Sequence, residues 1–159
     1  MAGLAPSTLK FEFVEIGELP LYNQDLDGNP PAAWVSFRQK VKGADAVLFV
    51  TPEYNRSVPG VLKNAIDIGA RPYGQSVWDK KPAAVVTASP GAIGGFGANH
   101  HLRQSLVCLN MPTMQQPESY LTVGDSYFDA DGKIADERAR GYAKKIIDTF
   151  AAWIETNLK

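Results

Sequence analysis

The chain has 159 residues, 16 basic and 17 acidic side chains, a net charge of −1 and a single cysteine, Cys108. That length fits one domain, residues 1–159, which can bury roughly 68–70% of its unfolded surface and needs no disulfide or metal to hold a core. The charge balance argues against nucleic acid and anionic membrane as partners, and no apolar run approaches the ~18 residues of a membrane span. No basic segment followed by an apolar one opens the chain, so a cytoplasmic location is expected.

Residues 9–16 predict a strand, with Leu9, Phe11 and Phe13 on one face and Lys10 and Glu12 on the other. A one-sided pattern with charges suits a sheet edge. Residues 17–31 form a loop rich in Pro, Asp, Asn and Gly. Pro31 suits the first position of a helix, with Ala33, Trp34, Phe37 and Val41 as its apolar stripe and Gly43 as its stop. Residues 46–50 are uninterrupted and apolar, the pattern of a parallel strand buried on both faces. A loop over residues 51–59 leads to a helix from about Gly60 to Gly69, with Val61, Leu62, Ala65, Ile66 and Ile68 apolar. Residues 83–88 form a second buried strand that opens into a glycine-rich stretch, residues 89–97. The next helix carries Leu102, Leu106, Val107 and Leu109. Residues 113–116, between Pro112 and Pro117, predict a short last strand. After a turn at residues 129–132, Tyr142, Ile146, Ile147, Phe150, Trp153 and Ile154 recur at helical spacing in the longest helix. This alternation predicts βαβ units around a parallel sheet.

Ligands of open parallel sheets bind beyond the carboxyl ends of the strands. Two loops leave such ends. In Thr51-Pro-Glu-Tyr-Asn-Arg-Ser-Val-Pro-Gly60, two prolines stiffen the backbone and Asn55 tolerates left-handed angles. A stiff loop aims its N–H and C=O groups, which suits a flat heterocycle rimmed with carbonyls and ring nitrogens. Tyr54 suits a ring face or a partner subunit. On local chemistry alone a plain strand-to-helix connector remains the alternative. In Ser89-Pro-Gly-Ala-Ile-Gly-Gly-Phe-Gly97 the glycines permit close backbone approach, yet the pattern is neither a dinucleotide fingerprint nor a P-loop. A flexible turn opening a helix is its alternative.

The other candidates point to no chemistry. Asp129-Ala-Asp-Gly132 resembles part of a calcium loop, but Tyr127 and Arg138 fall where the first and last ligands belong. His100 and His101 have no carboxylate or cysteine at ligand spacing and are expected to cover a helix start. Cys108, among apolar neighbours, is expected to be a buried inert thiol. Neither a catalytic side chain nor a metal site is expected.

The run Thr51-Pro-Glu-Tyr-Asn-Arg-Ser-Val-Pro-Gly-Val-Leu-Lys-Asn-Ala-Ile-Asp67 resembles the signature stretch of the NADPH-dependent FMN reductase family, in its bacterial chromate/quinone reductase branch. Residues 19–25, residues 89–95 and His101-Leu-Arg-Gln104 resemble further stretches of it, in the same order. The resemblance implies an α/β, flavodoxin-like three-layer sandwich with a parallel sheet of order 2-1-3-4-5. It implies FMN as cofactor and NAD(P)H as co-substrate. Pro52, Glu53, Tyr54 and Asn55 are expected along the isoalloxazine, with Ala88, Ser89 and Gly91 closing the other side. It implies homodimers or homotetramers, with the helix from Gly60 and the one containing Arg103 at interfaces, and small-molecule acceptors such as quinones, chromate and azo compounds. One departure stands out. The family's phosphate-cradling loop, of the type Gly-Ser-x-Arg-x-x-Ser-x-Asn, has no counterpart here, and Met1 aligns within the family's first helix, so that roughly 25 residues including strand 1 are expected to be absent. Two alternatives to the enzyme follow: a flavin-free interaction module, and a flavodoxin-type electron carrier, which the near-neutral charge disfavours.

Overall fold

The structure is a computed structural model and describes residues 1–158. Three parallel strands make one sheet in the order β1-β2-β3: β1 (Val47–Pro52), β2 (Ala83–Ser89) and β3 (Tyr120–Thr122). Four helices flank it: α1 (Ala32–Gly43), α2 (Gly60–Gly69), α3 (Phe96–Cys108) and α4 (Glu137–Asn157). Short 3-10 turns lie at Ala2–Leu4 and Gln24–Leu26. The α/β architecture with a parallel sheet is the one the alternating pattern predicts.

The period-two alternation of β2 divides the core. Ala83 and Val85 face a cluster built by Trp34, Phe37 and Val41 of α1, Ala65, Ile66 and Ile68 of α2, and Leu102 and Leu106 of α3. Ala84 and Val86 face the other way, against Ile146, Ile147 and Phe150 of α4. Fully burying each of these large side chains is worth about 1.5–3 kcal/mol, which is why the sheet needs a helix layer on both faces. The side chain of Asp136 caps α4 by accepting from the Ala139 N–H at 2.7 Å.

Two expected strands are not where the pattern put them. Residues 9–16 join no ladder. Leu9 and Phe11 pack on the α4 side, Val14 and Ile16 pack on the opposite cluster, and Phe13 between them is 77% exposed. Alternation fixes a face only when backbone pairing fixes the register. Among the described residues no strand adjoins the outer edge of β1, so these side chains settle on whichever cluster is near. At the other end of the sheet, Thr113 makes only an isolated bridge to Ala83. The chain tracks β2 from Pro112, whose C=O accepts from the Ala83 N–H, to Ser119, whose C=O accepts from the Thr87 N–H at 2.9 Å. Between them Pro117 has no N–H to donate, so the ladder breaks and resumes as β3.

Four residues assigned to apolar stripes, Ala33, Val61, Val107 and Tyr142, are exposed at their helix surfaces. Cys108 is exposed as well, not buried. Leu102 and Leu106 define the inward face of α3, and a residue two positions beyond Leu106 is rotated some 200° from it.

Candidate functional site

The β1–β2 register sets Pro52 directly beside Ala88. The two loops singled out from the sequence therefore leave the sheet side by side, at the carboxyl ends of neighbouring strands. The end of β3 joins them: Thr122 pairs with Ser89, and the Val123 N–H donates to the Ser89 C=O at 2.9 Å. The sequence reading missed this third strand end because it put the last strand at residues 113–116.

In the first loop, Tyr54 and Ser57 exchange two backbone hydrogen bonds of 2.9 Å each, closing a two-residue turn. Its central residues, Asn55 at φ 50° and Arg56 at φ 66°, are both left-handed, the mark of a type I′ turn. Asn tolerates this conformation; for Arg it costs about 1–2 kcal/mol. The ion pair of Arg56 Nη1 with Glu53 Oε1, at 3.0 Å, helps to hold it. Tyr54 stands 61% exposed at the turn.

The second loop is shaped by contact as much as by backbone angle. Gly94 has φ 56°, and a Cβ there would lie 2.5 Å from the Tyr120 carbonyl carbon. Gly95, at φ 81°, would meet Thr87 at 2.9 Å. The Thr87 hydroxyl donates to the Gly94 C=O at 3.0 Å, and the Ser89 hydroxyl accepts from the Gly91 N–H at 3.1 Å. The loop is thus pressed onto β2 and β3 and kept in one shape.

The two loops are also tied to each other through α3. Glu53 Oε2 accepts from the Ala98 N–H at 3.0 Å. Ser57 Oγ lies 2.7 Å from His101 Nδ1. These pairings span 45 and 44 residues, and no local pattern announces them. His100 and His101, expected to cover a helix start, lie past the first turn of α3, and His101 serves as a tie to the first loop. His100 instead meets Tyr120: Nε2 lies 2.9 Å from the phenol oxygen, and Phe96 packs against both rings, tilted to His100 and edge-on to Tyr120. Burial pushes the Tyr120 phenol above its usual value, with the Glu118 carboxylate adding to the effect, so the phenol stays protonated at neutral pH. Arg103 turns inward, donating to Asn99 Oδ1 and the Met114 C=O, and burial lowers its guanidinium from the ordinary arginine range.

Pro52, Glu53, Tyr54 and Asn55 thus lie on one loop and Ala88, Ser89 and Gly91 on its neighbour. The backbone N–H groups of Asn55, Arg56, Ala92 and Ile93, all on exposed residues, make no hydrogen bond among the described residues. Unpaired donors on a stiff turn beside an exposed tyrosine are groups of the kind that suit the rim and face of a flat heterocycle. Residues 1–159 contain no phosphate-cradling stretch of the Gly-Ser-x-Arg type.

A surface groove of about 660 Å³ lies elsewhere, along α1 and the segment after α2, and shares no residue with either loop. Asp27, Arg38 and Arg71 form a network along it. Arg71 donates to Asp27 Oδ2 at 2.9 Å, and Arg38 donates to the Arg71 C=O at 2.7 Å. That network braces the residues before α1.

Residues 1–125 match the family model of the NADPH-dependent FMN reductases. A quinone reductase of Pseudomonas putida is 58% identical over 158 residues, covering 99% of this chain and 84% of that protein. A 2-hydroxy-1,4-benzoquinone reductase of a Burkholderia species is 49% identical over 154 residues, covering 97% of this chain and 84% of that protein. Among solved structures, FerB, a flavoenzyme NAD(P)H:(acceptor) oxidoreductase from Paracoccus denitrificans, aligns with a TM-score of 0.92 at 41% identity, over 98% of this chain and 85% of that one.

Proposed function

The chain belongs to the NADPH-dependent FMN reductase family, and from that membership we propose that the loops after β1 and β2 hold the ring of FMN while electrons pass from NAD(P)H to quinones. The protein is an NAD(P)H-dependent flavin oxidoreductase. One observation carries the placement: the Pro52–Ala88 register brings both rigid loops to the same edge of the sheet. Pro52, Glu53, Tyr54 and Asn55 border the ring on one side, and Ala88, Ser89 and Gly91 border it on the other, chiefly through backbone groups.

When bound, FMN supplies the redox chemistry, taking a hydride from NAD(P)H and releasing electrons to the acceptor. The chain binds and orients. The unpaired N–H groups of Asn55 and Arg56 would donate to acceptors on the ring rim, and Tyr54 would shield one ring face from water. Thr87 and the glycines at 94 and 95 keep the second loop against β2 and β3, which would leave the opposite ring face open. An open face accounts for a breadth of flat or small acceptors, with quinones first and chromate and azo compounds as extensions. The reading extends to residues 1–159 as a single domain, to a homodimer or homotetramer, and to a cytoplasmic location; no described helix is long and apolar enough to cross a membrane.

The test is an FMN titration of the purified chain, followed by anaerobic NADPH and then benzoquinone, with the flavin band at ~450 nm as readout. Saturable binding, bleaching by NADPH and return of the band with quinone are expected. A folded protein that stays colourless overturns the reading in favour of a flavin-free module. Bound FMN that NADPH does not bleach makes the chain an electron carrier instead.

A further inference from the structure

Glu53 lies in the proposed ring-side loop, but its side chain points elsewhere. Only 10% of it is exposed, and both carboxylate oxygens are engaged. Oε2 accepts from the Ala98 N–H in the first turn of α3, and Oε1 pairs with Arg56, the left-handed residue of the type I′ turn. The N-cap residue of α3 is Gly95, which has no side chain to offer to the helix. The missing cap arrives from the other loop, 45 residues away in sequence. A carboxylate suits that place, because the first N–H groups of a helix are unpaired and its N-terminus carries partial positive charge.

Gly97 shows how close this docking is. A Cβ there would lie 2.9 Å from Glu53 Oε2, 3.0 Å from the Arg56 C=O oxygen and 3.3 Å from the Arg56 Cα. Its φ is not left-handed, so the glycine is needed for proximity and not for backbone angle. One turn further along α3, the Ser57–His101 contact repeats the link.

We propose that Glu53 is a positioning residue: by capping α3 and gripping Arg56, it fixes the spacing of the two loops and so presets the width of the flavin ring site. It acts on the ring through the backbone of residues 54–56, not by touching it with its carboxylate. This rests on the ring-site reading given above. The cap itself does not, since it exists within the chain alone.

The experiment therefore has two readouts on the full chain: hydrogen exchange of the α3 first-turn amides without FMN, and FMN affinity by flavin fluorescence. Glu53→Ala is expected to speed exchange at residues 97–99 and to weaken FMN binding about tenfold, in keeping with loss of a helix cap. Glu53→Gln keeps an oxygen facing the Ala98 N–H and is expected to restore most of both. If Glu53→Ala does not fold, Gly97→Ala presses on the same junction from the other side and is expected to change both readouts in the same direction. Faster exchange with unchanged affinity overturns the proposal, because the cap is then only structural. Weaker affinity with unchanged exchange also overturns it, because the carboxylate then acts on the cofactor directly. Failure of the wild-type chain to bind FMN sinks the ring-site reading, while the exchange readout still reports on the cap.

Discussion

The half of the molecule that carries the site and the amino-terminal part, residues 1–31, obey different rules. In the first, every strand has a neighbour in the chain, and the ends of β1, β2 and β3 are in register to the residue. In the second, side chains are as apolar, yet the backbone makes no ladder and is held by scattered anchors. Asn64 of α2 provides three of them: Oδ1 accepts from the Tyr22 N–H at 2.8 Å, and Nδ2 donates to the Leu19 and Pro20 C=O groups at 3.2 Å. Trp34 Nε1 adds a fourth, to the Pro20 C=O. Apolar pattern recruits a segment to the core, but paired backbone is what turns recruitment into position.

The strongest way to break that contrast is to disturb the ordered half at its tightest point. Gly94→Ala introduces a side chain into a left-handed residue that already touches the Tyr120 backbone. Neither partner is a flexible side-chain tip, so the loop must move. A cost of about 3 kcal/mol is expected, together with loss of FMN binding. Urea denaturation alongside an FMN titration checks both. Near-wild-type values for each would mean that the second loop has slack and that its glycines do not set the site.

A smaller effect, on the other side of the contrast, is expected for Asn64→Ala. It strips three of the four anchors from residues 19–22 and leaves the partly buried Tyr22 N–H and Leu19 C=O unpaired, at a cost of about 1–3 kcal/mol. Because Asn64 touches neither loop, FMN affinity should stay within about twofold of wild type, as expected for sites that share no partners. A parallel fall in stability and affinity would show that the two halves are coupled and that the contrast is false.

How much was legible in the sequence follows the same divide. The uninterrupted apolar runs named both strands, but only β2 is buried on both faces: β1 lies at the sheet edge and leaves Val50 61% exposed, while the strand-to-loop transitions after Pro52 and Ser89 named the edge of the proposed site. Gly60, Gly69 and Gly43 marked helix limits that the structure keeps. What stayed hidden depends on distance along the chain. The Glu53–Ala98 cap and the Ser57–His101 contact join residues more than forty positions apart, and nothing in either loop encodes the other. The exposure of Cys108 was masked because Leu106, Val107 and Leu109 surround it in sequence but not on the helix face. The last strand was misplaced because residues 113–116 and Tyr120–Thr122 both lie along β2, and only the position of Pro117 decides which part can pair.

The smallest effects come from the segment where pattern and structure disagree most directly. Alternation puts Phe11 and Phe13 on the same face of a strand. The structure buries Phe11 in part against the α4 cluster and leaves Phe13 in solvent. Phe11→Ala should therefore cost about 1–2 kcal/mol, less than a full core truncation because the ring is only partly covered. Phe13→Ala should fall within about 0.5 kcal/mol of wild type, as surface substitutions do. The difference between the two unfolding midpoints is the measurement. Equal costs would mean that residues 9–16 hold a strand register after all, with both rings on the core side. An unequal pair, in the expected order, shows that this segment takes its place from side-chain contacts alone.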